Sequence, residues 1–213
     1  MRVILDFYDK PNDPSRPLVC FDEQSVQLLG DQRPELPVRP GKPRRRDYEY
    51  SRHGTQNLFV FVTPKLGLRT VLVTQRRTKQ EFAKSMRYLV DVIHPQATCI
   101  DVILDNLNTH TTTTIIEIFG MPEASRILDR LSFHYTPLHA SWLNLAENEL
   151  SVLTRQCLSR RIDSEWMLTS EIVAWELRRN VAAIPIRWSF TWKRAKRLFA
   201  KMPAEPVSFT SQN

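Results

Sequence analysis

The chain has 213 residues, 42% of them hydrophobic and 25% charged, a composition typical of a globular protein with one substantial core. No apolar run approaches the roughly 18 residues needed to cross a bilayer, and the N-terminal segment is too short and too soon acidic for a signal peptide. We therefore expect a cytoplasmic protein with no membrane contact. The net charge of +7 favours a polyanionic partner, above all nucleic acid.

The predicted elements alternate in a way that indicates an α/β fold. In chain order they are a strand at 18–21, strands at 57–62 and 68–74, a helix that Thr78 opens and Pro95 ends, a strand at 99–104, a short helix between Thr109 and Gly120, a strand at 131–135, and helices from about Asn144 and over 171–183. Short apolar runs predict the strands, and apolar residues at steps of three and four predict the helices. Five strands interleaved with helices predict one mixed sheet with helices on its faces.

A proline-rich and arginine-rich segment lies between Gly30 and Tyr50. Prolines recur there at every third position from 34 to 43, which favours an extended, polyproline-like loop. Six basic residues crowd positions 33–46 with only Glu35 against them, and they are Arg33, Arg39, Lys42, Arg44, Arg45 and Arg46. Two interpretations stay open, a disordered surface loop or an arm that lies along a phosphate backbone.

A second basic block occupies the C-terminal segment, where aromatic residues alternate with positive charges. Its basic members are Arg187, Lys193, Arg194, Lys196, Arg197 and Lys201, and its aromatic members are Trp188, Phe190, Trp192 and Phe199. Either the aromatic rings pack on the core beneath a solvated basic face, or the segment contacts DNA or a second protomer. We predict that both basic blocks bind DNA, the second through Lys193, Arg194 and Arg197.

Three acids stand out by their positions relative to the predicted elements. Asp22 ends the first strand, Asp105 ends the strand at 99–104, and Glu147 lies in the first turn of the helix after the last strand. Carboxylates at the C-terminal ends of parallel strands point into the crevice where open α/β sheets bind ligands. Each acid also has an ordinary explanation as a turn, cap or helix-dipole residue. Other acids compete for the same roles, namely Glu23, Asp101 and Glu149.

Clustered carboxylates repel one another unless a cation compensates their charge. A hard divalent ion with oxygen ligands is the natural one, and Mg²⁺ suits sites that also engage phosphates. Two such ions clamp the attacking and leaving oxygens of an in-line phosphodiester displacement. The three acids therefore predict a metal-dependent site that acts on a nucleic-acid backbone.

The residues around these acids resemble the DDE transposases of the mariner superfamily, and in particular the bacterial insertion sequence 630 family. Residues 19–25 (Val-Cys-Phe-Asp-Glu-Gln-Ser) look like the strand of the first Asp. Residues 104–110 (Leu-Asp-Asn-Leu-Asn-Thr-His) look like the second motif, Asp-Asn-x-x-x-His. Residues 141–148 (Ser-Trp-Leu-Asn-Leu-Ala-Glu-Asn) look like the third block, in which a Glu follows three residues after an Asn.

The resemblance implies an RNase H-like fold that cleaves DNA at the ends of a mobile element and transfers the strands into target DNA. It implies two Mg²⁺ or Mn²⁺ ions held by Asp22, Asp105 and Glu147. It also implies supporting site residues, which are Asn106, His110 and Asn144. Such enzymes act on double-stranded DNA, both element ends and target, as homo-oligomers on paired ends. Because the resembling family is bacterial and acts on DNA, the resemblance also implies a cytoplasmic, nucleoid-associated location.

The chain departs from the family pattern in two respects. Helix-turn-helix modules normally precede the catalytic domain, whereas here the first Asp lies about twenty residues from the start, so we expect a fragment or the second frame of a split gene. Forty-one residues separate Asp105 from Glu147, which predicts an insertion around 120–130 and leaves Glu149 as an alternative to Glu147. Because a helix step of two residues turns a side chain by roughly 200°, only one of them faces the metals.

We expect an RNase H-like catalytic domain at 1–165 and a basic, helical C-terminal extension packed on it at 166–213. Two other functions remain open from the sequence. One is a catalytically silent, DNA-binding transposon remnant, and the other is a different RNase H-like nuclease.

Overall fold

A five-stranded mixed sheet forms the centre of the computed structural model, which describes residues 1–199 apart from the side chain of Phe199. The strands are β1 (Leu18–Asp31), β2 (Tyr50–Thr63), β3 (Leu68–Thr74), β4 (Ile100–Leu104) and β5 (Leu131–Tyr135). Their order across the sheet is β3-β2-β1-β4-β5. The first three strands are antiparallel, and β1, β4 and β5 are parallel. The prediction of one mixed, five-stranded sheet is confirmed.

Helices cover both faces of this sheet. They are α1 (Arg2–Asp9), α2 (Lys79–Tyr88), α3 (Thr112–Phe119), α4 (Met121–Leu128), α5 (Leu145–Gln156), α6 (Glu165–Ala182) and α7 (Trp192–Phe199). Thr78 and Glu81 form the expected capping box of α2. Helices α1 and α4 were not predicted. The segment expected to hold an insertion contains α4, which begins after Gly120 with Pro122 in its first turn, a position that proline tolerates well.

Alternate residues of the central strand divide the core into two layers. Val19 and Phe21 face one side of the sheet, and Leu18 and Cys20 face the other, as the two-residue period of a strand requires. The layer around Phe21 contains apolar residues of α2, α3 and α4. The layer around Cys20 contains residues of α1, α5 and α6. The sheet is thus buried on both faces beside the strand that carries the first acid.

Strands β1 and β2 are both longer than the sequence predicted, and they form an antiparallel pair that was not predicted. Asp22 does not end its strand, because β1 continues to Asp31 and pairs with β2 along that whole length. The continuation was missed because its residues are only partly buried and lack a continuous apolar run. The proline-rich segment is therefore shorter than expected, at 32–49. It folds back on itself through backbone bridges between Leu36 and Arg45 and between Arg39 and Lys42, which form a small two-stranded tip rather than a polyproline arm.

Side chains of α6 occupy the free edge of β3. The amide of Asn180 both accepts a hydrogen bond from the backbone N–H of Arg69 at 2.8 Å and donates one to its carbonyl at 2.7 Å. The carboxylate of Glu176 accepts a hydrogen bond from the N–H of Val71 at 2.9 Å. These contacts pair backbone groups that an open edge would leave available to another strand.

Helix α6 also belongs to the core of the sheet domain. Its residues Leu168, Ile172 and Trp175 are buried in the same cluster as Cys20. The division into domains at residue 165 stays a prediction. The last residues of the predicted C-terminal extension, 200–213, lie outside the described part of the chain. Among the described residues, no helix combines the length and the apolar character needed to span a membrane.

Candidate active site

Asp22 and Asp105 lie next to each other on the two central parallel strands. The register of β1 and β4 pairs Leu18 with Asp101 and Cys20 with Ile103. Continuing this register by two residues sets Asp22 beside Asp105, just beyond the end of β4. Two carboxylates from distant parts of the chain therefore share one edge of the sheet, at the carboxyl end of the parallel strands.

Asn144 brings the third acid to the same edge. This buried residue caps α5, because its side-chain oxygen accepts a hydrogen bond from the N–H of Ala146 at 3.1 Å. Its amide nitrogen donates to the carbonyl of Phe21, the residue before Asp22, at 2.8 Å. One side chain thus ties the start of α5 to β1, and Glu147 follows in the first turn of that helix.

The pKa of Asp22 depends on the other two acids, which shows that they lie close to it. Burial, together with the negative charges of Asp105, Glu147 and Glu23, raises the pKa of Asp22 to about 7 against the opposing effect of a hydrogen bond from the N–H of Glu23. Asp105 and Glu147 are both partly exposed. The three acids predicted from the sequence therefore lie together, around a point of concentrated negative charge that opens to solvent.

His110 bridges two carboxylates at this edge. Its Nδ1 lies 2.6 Å from Oδ1 of Asp105, and its Nε2 lies 2.8 Å from Oε2 of Glu23. These two partners raise the pKa of His110 to about 9 against the opposing effect of burial, so the imidazole is positively charged at neutral pH. The ring stacks on Phe82 with centroids 4.7 Å apart. His110 is thus fixed from three sides and fixes Asp105 in turn.

Glu23 is nearly as buried as His110, although the sequence presented it only as a competitor for the metal site. Its second oxygen lies 3.6 Å from Nε of Arg77. Glu23 therefore holds His110 and the charge of Arg77 rather than facing the cleft with Asp22. Arg77 itself was not singled out from the sequence, because nothing local to it indicates a partner fifty-four positions away.

The remaining competing acids are occupied elsewhere. Glu149 is buried against Arg69 and Arg179, with oxygens 2.8 Å from Nε of Arg69 and 3.1 Å from Nη2 of Arg179. Asp101 accepts hydrogen bonds from Arg16 at 2.7 and 2.8 Å and lies 2.8 Å from Nε2 of His134. Glu147, unlike both of them, interacts electrostatically with Asp22.

Tyr8 supports the start of α5 from the opposite end of the chain. Its hydroxyl donates a hydrogen bond to the carbonyl of Leu143 at 2.6 Å and accepts one from the N–H of Leu145 at 3.4 Å. These two residues flank Asn144, so Tyr8 and Asn144 hold the same turn. The sequence carried no signal for this contact, since 135 positions separate Tyr8 from Leu143.

The loop after β4 and the loop after β5 border a cleft beside Asp105. This cleft has a volume of about 370 Å³, and its lining includes Asn106, Pro137 and Ser141. Asn106 is exposed within it. The hydroxyl of Tyr135, at the end of β5, donates a hydrogen bond to the carbonyl of His110 in the loop after β4 at 2.7 Å and so joins the two loops.

The first basic block lies in the hairpin at 32–49 and is partly neutralised. Arg33 lies 3.3 Å from Asp47, Arg44 pairs with Glu35, and Arg46 lies 2.9 Å from Asp31. Within the described residues, three basic side chains of the hairpin tip make no ion pair, and they are Arg39, Lys42 and Arg45. The positive charge that remains available for a partner is thus concentrated at the tip.

The second basic block combines packed aromatic rings with exposed charges. Trp188, Phe190 and Trp192 pack against the core layer that contains Cys20. On and next to α7, basic side chains are exposed, namely Arg187, Lys193, Arg194, Lys196 and Arg197. Lys201 lies outside the described residues. Of the two interpretations left open by the sequence, packing on the core is observed for these three rings, and the side chain of Phe199 lies outside the described part; DNA contact by the charged face stays a prediction.

The donor set of the site suits a hard divalent cation. Asp22, Asp105 and Glu147 offer only oxygen atoms, and the pKa of Asp22 is raised by burial and also by the negative charges of its neighbours, which a cation would compensate. Among residues 1–199, no three side chains already enclose a metal position. Binding an ion would therefore draw the partly exposed carboxylates of Asp105 and Glu147 towards Asp22.

Comparison with known families and structures agrees with this architecture. A model of the DDE superfamily endonuclease family matches residues 17–168. The fold is similar to that of the Mos1 mariner paired-end complex with Mn, at 16% identity and a TM-score of 0.54 over 83% of this chain and 52% of that chain. It is also similar to that of the Mos1 strand transfer complex, at 14% identity and a TM-score of 0.57 over 82% of this chain and 51% of that chain. The chain thus spans about half the length of these structures. No curated protein sequence matches it significantly.

Proposed function

Because the chain belongs to the DDE superfamily of endonucleases, we propose that it is the catalytic domain of a transposase that cleaves DNA and transfers strands to move an insertion sequence. The observation that carries this proposal is the convergence of Asp22, Asp105 and Glu147, which come from β1, from the end of β4 and from the first turn of α5. A phosphodiester backbone is the substrate that such an acidic, solvent-open site with nearby positive charge fits best.

The protein residues around the site have separable roles. Asp22, Asp105 and Glu147 would hold the metal ions, with Asp22 on the rigid central strand as the fixed point. His110 orients the carboxylate of Asp105 through the 2.6 Å contact, and Glu23 holds the other ring nitrogen of His110. Asn144 sets the distance between β1 and α5. Asn106 lines the cleft through which the DNA strand would approach Asp105.

We propose that two Mg²⁺ or Mn²⁺ ions occupy the site. When bound, such ions activate the attacking oxygen and stabilise the leaving oxygen of an in-line phosphodiester displacement. The chain itself contributes the three carboxylates, two of which accept hydrogen bonds within the protein, Asp105 at His110 and Asp22 at the N–H of Glu23. The raised pKa of Asp22 supports this role, because the folded protein without an ion disfavours the charge that an ion would stabilise.

Double-stranded DNA, both element ends and target, is the proposed partner. The structures with a similar fold are complexes of Mos1 with transposon ends and a strand transfer complex. In this chain, the tip of the hairpin at 32–49 and the basic face around α7 offer exposed positive charge. We propose that these two surfaces contact the phosphate backbone and that the protein acts as a homo-oligomer on paired ends.

A nicking and joining assay tests the proposal. The chain is incubated with supercoiled plasmid and with linear duplex in the presence of Mg²⁺ or Mn²⁺, and nicked and joined products are quantified. Asp105→Ala is expected to abolish both products while its circular dichroism spectrum and melting temperature stay close to wild type. Asp129→Ala, which removes an exposed acid beyond α4, serves as the matched control and should retain activity.

Isothermal titration with Mn²⁺ alone separates the proposed function from the two alternatives. Metal binding that Asp105→Ala removes supports the transposase site. DNA binding without any metal uptake would instead indicate a catalytically silent remnant. Cleavage of an RNA–DNA hybrid without joining of DNA would indicate a different nuclease.

A further inference from the structure

Helix α6 is apolar on two opposite faces. One face is buried in the core through Leu168, Ile172 and Trp175. The other face is exposed, and its large apolar residues are Trp166, Val173, Leu177 and Val181, which are 77%, 59%, 63% and 78% exposed. At about 100° per residue these four side chains lie within about 80° of one another and form one continuous stripe.

Such a stripe is unusual on the surface of a monomer. Monomeric soluble proteins rarely expose contiguous apolar patches larger than a few hundred Å², and a single Trp side chain buries about 150–250 Å². Ser170 and Ala174 lie between the large residues and leave the stripe flat enough for another helix to approach closely. Helix α6 is held in place by its buried face and by the contacts of Glu176 and Asn180 with the edge of β3, and the stripe residues take no part in the core cluster, so the stripe is not needed to hold the helix.

The chemistry of the stripe selects its partner. It contains no Lys or Arg, so it does not fit a phosphate backbone, which the basic surfaces elsewhere on the chain do fit. We propose that the stripe is a self-association surface, in which α6 of a second copy packs against it in antiparallel orientation. A two-fold axis beside Val173 and Ala174 places Trp166 of one copy on Val181 of the other and matches Ser170 with Leu177. The interface is then self-complementary, as a two-fold dimer requires.

Charges beside the stripe favour the antiparallel arrangement. Glu171 and Arg178 lie on the same flank of α6, about 20° apart around the helix axis. In the antiparallel pair, Glu171 of each copy lies on the same side of the seam as Arg178 of the other, offset along the helix axis by two residues or about 3 Å, which these long side chains can span. Arg178 is exposed and has no ion pair within residues 1–199, while Glu171 already interacts with Arg160 and would gain a second basic neighbour. In a parallel pair the two-fold axis would run along the helices and place these flanks on opposite sides of the seam, so Glu171 and Arg178 would not meet.

Analytical ultracentrifugation over a concentration series tests this interface on the whole chain without DNA or metal, so the outcome does not depend on the catalytic assignment. The wild type is expected to dimerise. Leu177→Glu is expected to weaken dimerisation by about tenfold or more, because it sets a charge into the apolar seam. Met121→Glu changes an equally exposed apolar residue on α4, across the sheet, and should leave the dimer unchanged.

Charge reversal tests the orientation. Arg178→Glu alone and Glu171→Arg alone should each weaken the dimer by several-fold, and the double variant should restore it towards wild type. A chain that stays monomeric throughout the series would overturn the proposal. So would a dimer that Leu177→Glu leaves intact, and a double variant weaker than both single variants would overturn the antiparallel register.

Discussion

Arg69 and Glu149 form a buried, bidentate ion pair, in which Nε and Nη2 of the guanidinium lie 2.8 and 3.1 Å from the two carboxylate oxygens. Both side chains are almost completely buried, and Arg179 adds a second positive charge to the same carboxylate. The pair joins α5 to β3. Two acids in the first half of the same helix therefore have different environments, since Glu147 is partly exposed and interacts with Asp22, whereas Glu149 is buried in the core.

This difference predicts opposite effects for two neighbouring substitutions. Glu149→Ala leaves Arg69 buried without its partner and should lower the free energy of unfolding by about 3–5 kcal/mol. Glu147→Ala removes a partly exposed carboxylate and should leave stability within about 0.5 kcal/mol of wild type while abolishing metal-dependent nicking. Urea unfolding monitored by circular dichroism, together with the plasmid assay, measures both. Loss of stability in Glu147→Ala and loss of activity alone in Glu149→Ala would reverse the two roles.

Asp22 is expected to lower the stability of the metal-free protein. Burial and three neighbouring acids disfavour its charge, as the raised pKa of about 7 reflects. Asp22→Asn keeps the shape of the side chain without the charge and should raise the free energy of unfolding at pH 8 by about 0.5–2 kcal/mol in the presence of a chelator.

Adding Mg²⁺ should reverse that ranking. The wild type gains stability from ion binding, whereas Asp22→Asn gains little or none. Thermal melts with and without Mg²⁺ provide the measurement, and Asp129→Asn is the control for loss of one negative charge. An Asp22→Asn variant that melts below the wild type in chelator would contradict the idea that the site stores unfavourable charge.

Tyr8 should influence the active site although it lies outside the region that matches the family model. Tyr8→Phe preserves the ring and removes the hydroxyl that binds the carbonyl of Leu143, at an expected cost of about 1–3 kcal/mol in stability. Because that bond holds the turn before α5, the affinity for Mn²⁺ should fall as well, at a temperature where the variant is fully folded. Tyr48→Phe, at an exposed position, is the matched control. An unchanged Mn²⁺ affinity would restrict Tyr8 to a structural role.

Asn180 protects the free edge of β3 through two backbone hydrogen bonds. Asn180→Leu removes both and leaves the N–H and carbonyl of Arg69 without partners, so it should destabilise the fold by about 1–3 kcal/mol or more. It should also increase aggregation, because an uncovered edge can pair with another strand. Light scattering during thermal melts detects this, with Asn108→Leu at an exposed loop position as the control. Destabilisation without aggregation would mean that α6 still covers the edge.

Local patterns in the sequence predicted those parts of the fold that depend on neighbouring residues. The capping box of Thr78 and Glu81 marked the start of α2, and Asn144 marked the start of α5. The extension of β1 past Asp22 was not predictable in the same way, because a half-buried strand beside a polar hairpin carries a weak alternation. Helix α4 was missed because Gly120 and Pro122 indicate a stop as readily as a start.

In the candidate site, too, the sequence predicted features that depend on neighbouring residues and missed contacts between distant ones. The three acids were proposed because each stands at the end of an apolar strand or at the start of a helix, and the resemblance to DDE transposases favoured them over Glu23, Asp101 and Glu149. The contacts that orient them join residues far apart in the chain, such as His110 with Glu23 and Asn144 with Phe21. Such contacts depend on strand order and on side-chain direction, and a single sequence specifies neither.

The hairpin at 32–49 offers a final prediction about DNA binding. Arg39, Lys42 and Arg45 are exposed at its tip and make no ion pair among the described residues, so their charges are free to displace counterions from DNA. Arg33, Arg44 and Arg46 are already paired with acids of the same hairpin or of β1. The two sets are equal in charge and close in sequence. They differ in that one set is paired with acids and the other, among the described residues, is not.

Replacing the three tip residues with Gln should weaken duplex binding at low salt and reduce the slope of log affinity against log salt by up to about 3, since each phosphate contact contributes about 0.9. Replacing the three paired residues should change the slope less and lower the melting temperature more, because it leaves Glu35 and Asp47 without their basic partners. Fluorescence anisotropy with a labelled duplex at several salt concentrations compares the two triple variants. Equal slopes for both would mean that the ion pairs open when DNA binds, and that the whole hairpin rather than its tip contacts the backbone.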